Sequence, residues 1–106
     1  MDVTSPLGRI TIAPSAIAQI VDRTIAECYG VVGMGGRRLK PRGRGAITVE
    51  EREDGLRLGL RVVIEHGLNL AEVASTLRSR VAYDVERLTG LSVASVDVHI
   101  ESVRAK

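Results

Sequence analysis

Aromatic side chains are nearly missing from this chain: of its 106 residues none is Phe or Trp, and Tyr29 and Tyr83 are the two tyrosines. Platforms that stack the bases of single-stranded nucleic acid need several aromatics on one surface, so that mode of recognition is disfavoured. Cysteine is reduced to Cys28, which excludes an internal disulfide and suits a reducing cytosol. Histidine occurs only at His66 and His99. No apolar run approaches the ~20 residues that a spanning helix needs, and MDVTSPLGR lacks the basic-then-apolar pattern of a secretion signal. Any meeting with a membrane therefore depends on something else. Net charge is small too: 15 basic against 13 acidic side chains leave a formal +2, although the sequence pI is about 9.1. A nucleic-acid argument must then rest on local clustering.

What the chain does contain is a strongly patterned second half, residues 56–103. Leu56, Leu58, Leu60, Val62 and Ile64 alternate with Arg57, Gly59, Arg61, Val63 and Glu65, the period of a strand with one buried face. Leu70, Val73, Ala74, Leu77, Val81, Val85 and Leu88 then recur at three- and four-residue spacings, which predicts an amphipathic helix. Asn69 with Glu72 three residues on fits a capping box, Leu68 with Val73 a hydrophobic staple, and Gly90 a left-handed stop. Alternation returns in SVASVDVHIESV, with Val96, Val98 and Ile100 on one face and Asp97, His99 and Glu101 on the other.

The first half repeats the scheme less regularly. Residues 1–7 read as a frayed leader. GRITI predicts a short edge strand with Ile10 and Ile12 inward and Arg9 and Thr11 outward. Pro14 opens a helix whose stripe is Ile17, Val21, Ile25 and Cys28, which Gly30 closes and on which Arg23 and Glu27 form a solvated pair. The apolar run 31–34 fits a brief strand. AITVEERE predicts another, and Asp54-Gly55 supplies a two-residue hairpin turn into the long strand. The pattern as a whole predicts one domain over residues 1–106, an α/β (α+β) two-layer sandwich in which a mixed β-sheet carries two amphipathic helices on one face, in the order β-α-(β)-β-β-α-β. The bare sheet face would carry Arg9, Thr11, Thr48, Glu50, Arg57, Arg61, Asp97, His99 and Glu101.

Composition breaks abruptly at residues 35–45, GGRRLKPRGRG, where Arg37, Arg38, Lys40, Arg42 and Arg44 crowd together without one acid. Glycine and proline predict a loop, and its five cations suit phosphates of nucleic acid, lipid headgroups or an acidic partner. Gly33-Met34-Gly35-Gly36 matches the G-x-x-G of KH domains, but the stretch after Gly36 is too rich in Gly and Pro to open the helix that arrangement requires. Enzyme signals are weaker. Cys28 falls on a core stripe, His66 and His99 have opposite strand parities, and the carboxylates of Glu50, Glu51, Glu53 and Asp54 cluster near a hairpin tip where they are solvated. The residues themselves indicate no catalytic group, no metal ligand set and no small-molecule substrate.

With these pieces in place the chain resembles the alkaline shock protein family, also called the envelope stress response family of bacteria. GRITIAPSAIAQIVDRTIAECYGVVGM is similar to the family's opening, and LGLRVVIEHGLNLAEVASTLRSRVAYDVERLTGLSVASVDVHIESV to its second half. Glu65-His66-Gly67 ends the strand as the family pattern does, and Val96-Asp97-Val98-His99-Ile100 matches its closing strand. The resemblance implies a cytoplasmic protein without enzymatic activity or cofactor, a scaffold in envelope stress or membrane homeostasis. It also implies a homo-oligomer and a membrane-anchored protein partner at the inner face of the membrane. Some relatives are linked instead to acetyl-CoA carboxylase and fatty-acid synthesis. The family has no catalytic or ligand-binding motif to carry over. The RRLKPRGRG loop departs from the acidic or mixed loop usual there, so weak anionic lipid or nucleic-acid contact through residues 37–44 would be peculiar to this member. A nucleic-acid-binding module built on that loop is the alternative reading.

Overall fold

The computed structural model describes residues 1–34 and 46–105. Along the chain run β1 (Asp2–Ser5), β2 (Gly8–Thr11), α1 (Pro14–Glu27), β3 (Val31–Met34), β4 (Ile47–Arg52), β5 (Gly55–Glu65), α2 (Leu70–Thr89) and β6 (Val93–Arg104). The expected two-layer α+β architecture is present, with both helices on one face of a mixed sheet.

β5 is the axis of that sheet. β6 pairs with it in parallel along its whole length, from Leu56↔Val93 to Glu65↔Arg104. A strand has two edges, so the antiparallel partners β4 (Ile47↔Leu60 to Arg52↔Gly55) and β3 (Val31↔Ile64 to Met34↔Val62) share the other one, end to end. Met34 lies opposite Val62, and the Ala46 carbonyl accepts from the Arg61 N–H at 2.8 Å. The chain therefore leaves and rejoins this edge at neighbouring positions, on either side of residues 35–45.

Alternation in β5 sends Leu56, Leu58, Leu60, Val62 and Ile64 into one core, where they meet Ile17, Val21, Ile25 and Cys28 of the first helical segment and Leu77, Val81 and Val85 of the second. Each large aliphatic side chain so buried contributes about 1.5–3 kcal/mol. Three helix ends obey the expected chemistry, whereas α1 stops at Glu27 with an extended Cys28 as its cap, before the expected Gly30. Pro14 stands in the first turn of α1; Asn69 Oδ1 accepts from the Glu72 N–H at 3.0 Å; and Gly90 takes the left-handed φ of 76° that ends α2. Leu68 and Val73 close together over Gly30, as a staple would place them.

Three expectations need correction. Residues 2–5 of the supposed leader form β1, which pairs antiparallel with β2 in a separate ribbon (Val3↔Ile10, Thr4↔Arg9). The turn between them is held by Ser5 Oγ, which accepts from the Leu7 N–H at 3.2 Å, and the base by the Ile12 N–H donating to the Met1 carbonyl at 2.7 Å. β2 is thus no edge of the main sheet, Arg9 and Thr11 do not belong to its bare face, and Ile10 is 65% exposed.

The hairpin between β4 and β5 turns at Glu53 and Asp54, one residue earlier than expected. Gly55 comes after the turn with φ of 129°, because the Leu56 N–H donates to the Ser92 carbonyl at 2.8 Å and a Cβ at Gly55 would stand 2.7 Å from that oxygen. Finally, Leu70 and Leu88 leave the predicted core stripe, and Leu88 is 55% exposed. Both sit in the end turns of α2, and Leu88 borders the open groove between α1 and α2 instead of reaching the sheet.

Candidate protein interaction site

In β6 the sequence alternates so that Val96, Val98 and Ile100 turn towards the helices and Asp97 and His99 towards the bare face. Among the described residues β6 (12 residues) pairs with β5 alone, so no strand covers its outer edge, although at its start the Val93 N–H donates to Glu86 Oε2 at 3.0 Å. Helix cover also thins out there. Val96 is buried, Val98 and Ile100 are half-buried, and Val103 is exposed. Between α2 and the strand lies a groove of about 310 Å³, lined by Ala71, Ala74, Ser75 and Arg78 on the helix and by Val96, Asp97 and Val98 on β6. An uncovered edge of this length displays unpaired N–H and C=O groups on alternate residues, which makes it a template for another strand.

Most charges around this face are engaged within the protomer. Arg61 hydrogen-bonds Glu101; Arg52 meets Glu50 at 2.6 Å and Arg57 meets Asp54 at 3.6 Å; Arg104 reaches across Gly33 to donate to the Val32 carbonyl at 2.9 Å. Such exposed pairs contribute at most about 1 kcal/mol each, so they organise the surface more than they stabilise it. Asp97 and His99 differ. Both are exposed, and neither side chain makes a hydrogen bond or ion pair with another described residue. The alternation of the sequence places both side chains on this face but does not show that neither has a partner within the fold. The signal was available in the chain as DVH inside an apolar alternation, whereas the engagement of their neighbours is a product of the fold.

A second feature invisible in the linear pattern is the groove of about 540 Å³ between α1 and α2, bordered by Arg23, Arg80, Arg87, Thr24 and Asp84. Its arginines come from different helices and converge only on packing. Asp84 lies 2.7 Å from Thr24 Oγ1 and 3.8 Å from Arg87, and the Arg87 guanidinium sits 5.8 Å from the Tyr83 ring centre. Arg23 and Glu27 form the expected i,i+4 pair, at 3.9 Å. The ribbon of β1 and β2 is a third exposed feature: every residue of both strands is accessible and Leu7 at its tip is 99% exposed.

The residues proposed to contact an anionic surface, Arg37, Arg38, Lys40, Arg42 and Arg44, lie outside the described residues. Cys28 is buried at 5% exposure, and burial pushes its thiol pKa up, with Arg80 acting in the opposite direction. A thiol held protonated is a poor nucleophile. Among the described residues no three His, Cys, Asp or Glu side chains converge as metal ligands, and no helix is long and apolar enough to cross a membrane. His66 belongs to the turn after β5 and His99 to the middle of β6.

Comparison with known proteins bears on both fold and family. The fold matches the solved MamM C-terminal domain with a TM-score of 0.54 at 11% identity, covering 83% of this chain and 93% of that domain. A further MamM C-terminal domain structure matches at TM-score 0.52 and 12% identity, over 87% of this chain and 98% of the other. At such low identity the likeness concerns the fold alone. By sequence the chain is 26% identical over 114 residues to YloU, an uncharacterized protein of Bacillus subtilis, covering 98% of this chain and 95% of the relative. It is 23% identical to the uncharacterized protein Spy1614 of Streptococcus pyogenes, over 92% of this chain and 88% of that protein. The family model for alkaline shock protein 23, described as having a cell envelope-related function, matches residues 2–105. The second-half pattern, the α+β fold and this match along nearly the whole chain agree, and the protein belongs to the alkaline shock protein 23 family.

Proposed function

We propose that this protein is a non-enzymatic scaffold of envelope stress or membrane homeostasis, which acts by self-association and by binding another protein at the cytoplasmic side of the membrane. The family's envelope-related role supports the process. The observation that carries the mode of action is the free edge of β6, long, half-covered and bearing partnerless polar groups. A surface of that kind lowers its free energy when another chain covers it.

Attachment to the membrane is assigned to a partner. Arg37, Arg38, Lys40, Arg42 and Arg44 add a weak electrostatic contact with an anionic surface, each cation contributing at most about 1 kcal/mol. Five such contacts fade as salt rises, so they tune the attachment without securing it.

The test uses two differently tagged copies of the full chain in the native cell, with the membrane fraction kept. Co-purification of the two tags, and sedimentation of the chain with membranes in a way that mild proteolysis of membrane proteins abolishes, is the expected result. A chain that is monomeric and stays in the soluble fraction overturns the proposal. Titration with RNA, DNA and anionic vesicles at low and moderate salt completes it: submicromolar binding to nucleic acid alone, lost when the five cations become Gln, would make the protein a nucleic-acid-binding module.

A further inference from the structure

We infer that two copies of this chain join edge to edge through β6, antiparallel about a two-fold axis passing through Val98. The inference rests on the self-association proposed above and adds its site and register.

Antiparallel pairing of identical strands restricts which residues can face each other. Those directly opposite must have the same parity, since otherwise apolar and polar faces would be exchanged across the junction. Three central registers satisfy this. Asp97 opposite Asp97 juxtaposes two carboxylates. His99 opposite His99 brings Asp97 against Glu101, again two carboxylates. The register centred on Val98 sets Asp97 opposite the partner subunit's His99, and by symmetry His99 opposite the partner subunit's Asp97. An imidazole N–H donates to a carboxylate whether the ring is neutral or charged. The two polar groups that find nothing within the protomer thus satisfy each other.

Packing on the other face agrees. In the same register Val98 meets Val98 and Val96 meets Ile100 of the partner subunit. Val96 lines the groove with Ala71, Ala74, Ser75 and Arg78 of α2, so the incoming isoleucine enters a groove of small side chains flanked by the aliphatic stem of Arg78. The paired segment 96–100 falls between the two irregularities of β6, where its register against β5 shifts after Val93 and again after Ile100. It is therefore the straight part of the strand. Backbone parity agrees as well, because residues of like parity present their N–H and C=O groups to the same edge. The product is one continuous sheet with the helices of both copies on the same side.

Opposing substitutions on the exposed face test this. His99→Asp makes the strand centre acidic, and Asp97→Lys makes it basic. Sedimentation velocity and light scattering on the full chain should show a dimer for the unaltered protein. Each variant alone should raise the dimer dissociation constant about tenfold or more, since the symmetry applies each cross-strand pair twice. The two variants mixed in equal amounts should recover a dimer. Thermal melts of each variant, expected near the parent's, separate loss of pairing from loss of folding. A second probe is Val98→Cys in a Cys28→Ala chain: opposite Cα atoms in an antiparallel sheet lie ~4.5–5.5 Å apart, within disulfide range, so mild oxidation should cross-link the copies. Self-association that both charge variants leave unchanged, with no cross-link at residue 98, overturns the β6 register while leaving the scaffold reading standing. An unaltered chain that is monomeric at every concentration overturns both.

Discussion

The Thr24 hydroxyl, 2% exposed, stands 2.7 Å from Asp84 Oδ2 and ties α1 to α2 from inside the helix layer. The Ile20 carbonyl lies 3.1 Å from the same hydroxyl, but a single proton goes preferentially to the nearer, charged acceptor. Thr24→Val keeps the shape and removes the donor. It should cost about 1–2 kcal/mol by urea denaturation. In an Asp84→Ala background the same change should cost much less, because the coupling belongs to the pair.

Gly55 is held at φ of 129° with the Ser92 carbonyl where a Cβ would reach. Gly55→Ala meets both a strained backbone and a backbone oxygen, neither of which can move without opening the Leu56–Ser92 hydrogen bond. A loss of about 2–3 kcal/mol is expected in chemical denaturation. Gly67, which also has positive φ but open space around its Cβ position, should lose less on the same substitution.

Cys28 should behave as a packing residue. Its raised pKa means that the folded chain keeps the thiol proton to higher pH than the unfolded chain, whose thiol ionises near 9.0. Above that pH the unfolded state binds fewer protons, so stability present below it is lost as pH rises. Denaturation midpoints should decline above pH 9.0 more steeply for the parent than for Cys28→Ala. Reaction with a thiol reagent at neutral pH should track global unfolding; rapid labelling of the native protein would refute this description of the site.

Leu60 and Leu88 were both legible as apolar stripe positions, yet one is buried and the other open. Leu60→Ala should cost about 2–5 kcal/mol and Leu88→Ala within about 0.5–1 kcal/mol. Equal losses would mean that another element covers the end of α2.

Periodicity made the principal elements readable because it is a local property. A period of two over 56–64 and a 3.6-residue stripe over 70–88 mark strand and helix from spacing alone, without reference to any distant segment. The caps at Asn69 and Gly90 are local in the same sense: their hydrogen bonds close within a few residues. The misread parts depended on distant partners. Residues 2–5 carry no strong strand pattern and become β1 only because β2 folds back on them, and the turn before β5 shifts by one residue because Ser92, far along the chain, captures the Leu56 N–H.

The sequence by itself determined which residues are apolar on which face, and therefore the two-layer fold and the family, since backbone geometry converts spacing directly into sidedness. Only the tertiary structure decided which edges of the sheet are covered and which polar groups are already engaged. Strand order and helix coverage arise from contacts between segments tens of residues apart, and no local period encodes them. Asp97 and His99 could be placed on a face from the chain alone, but their lack of partners emerged only when Arg61 met Glu101 and β6 took the outer position.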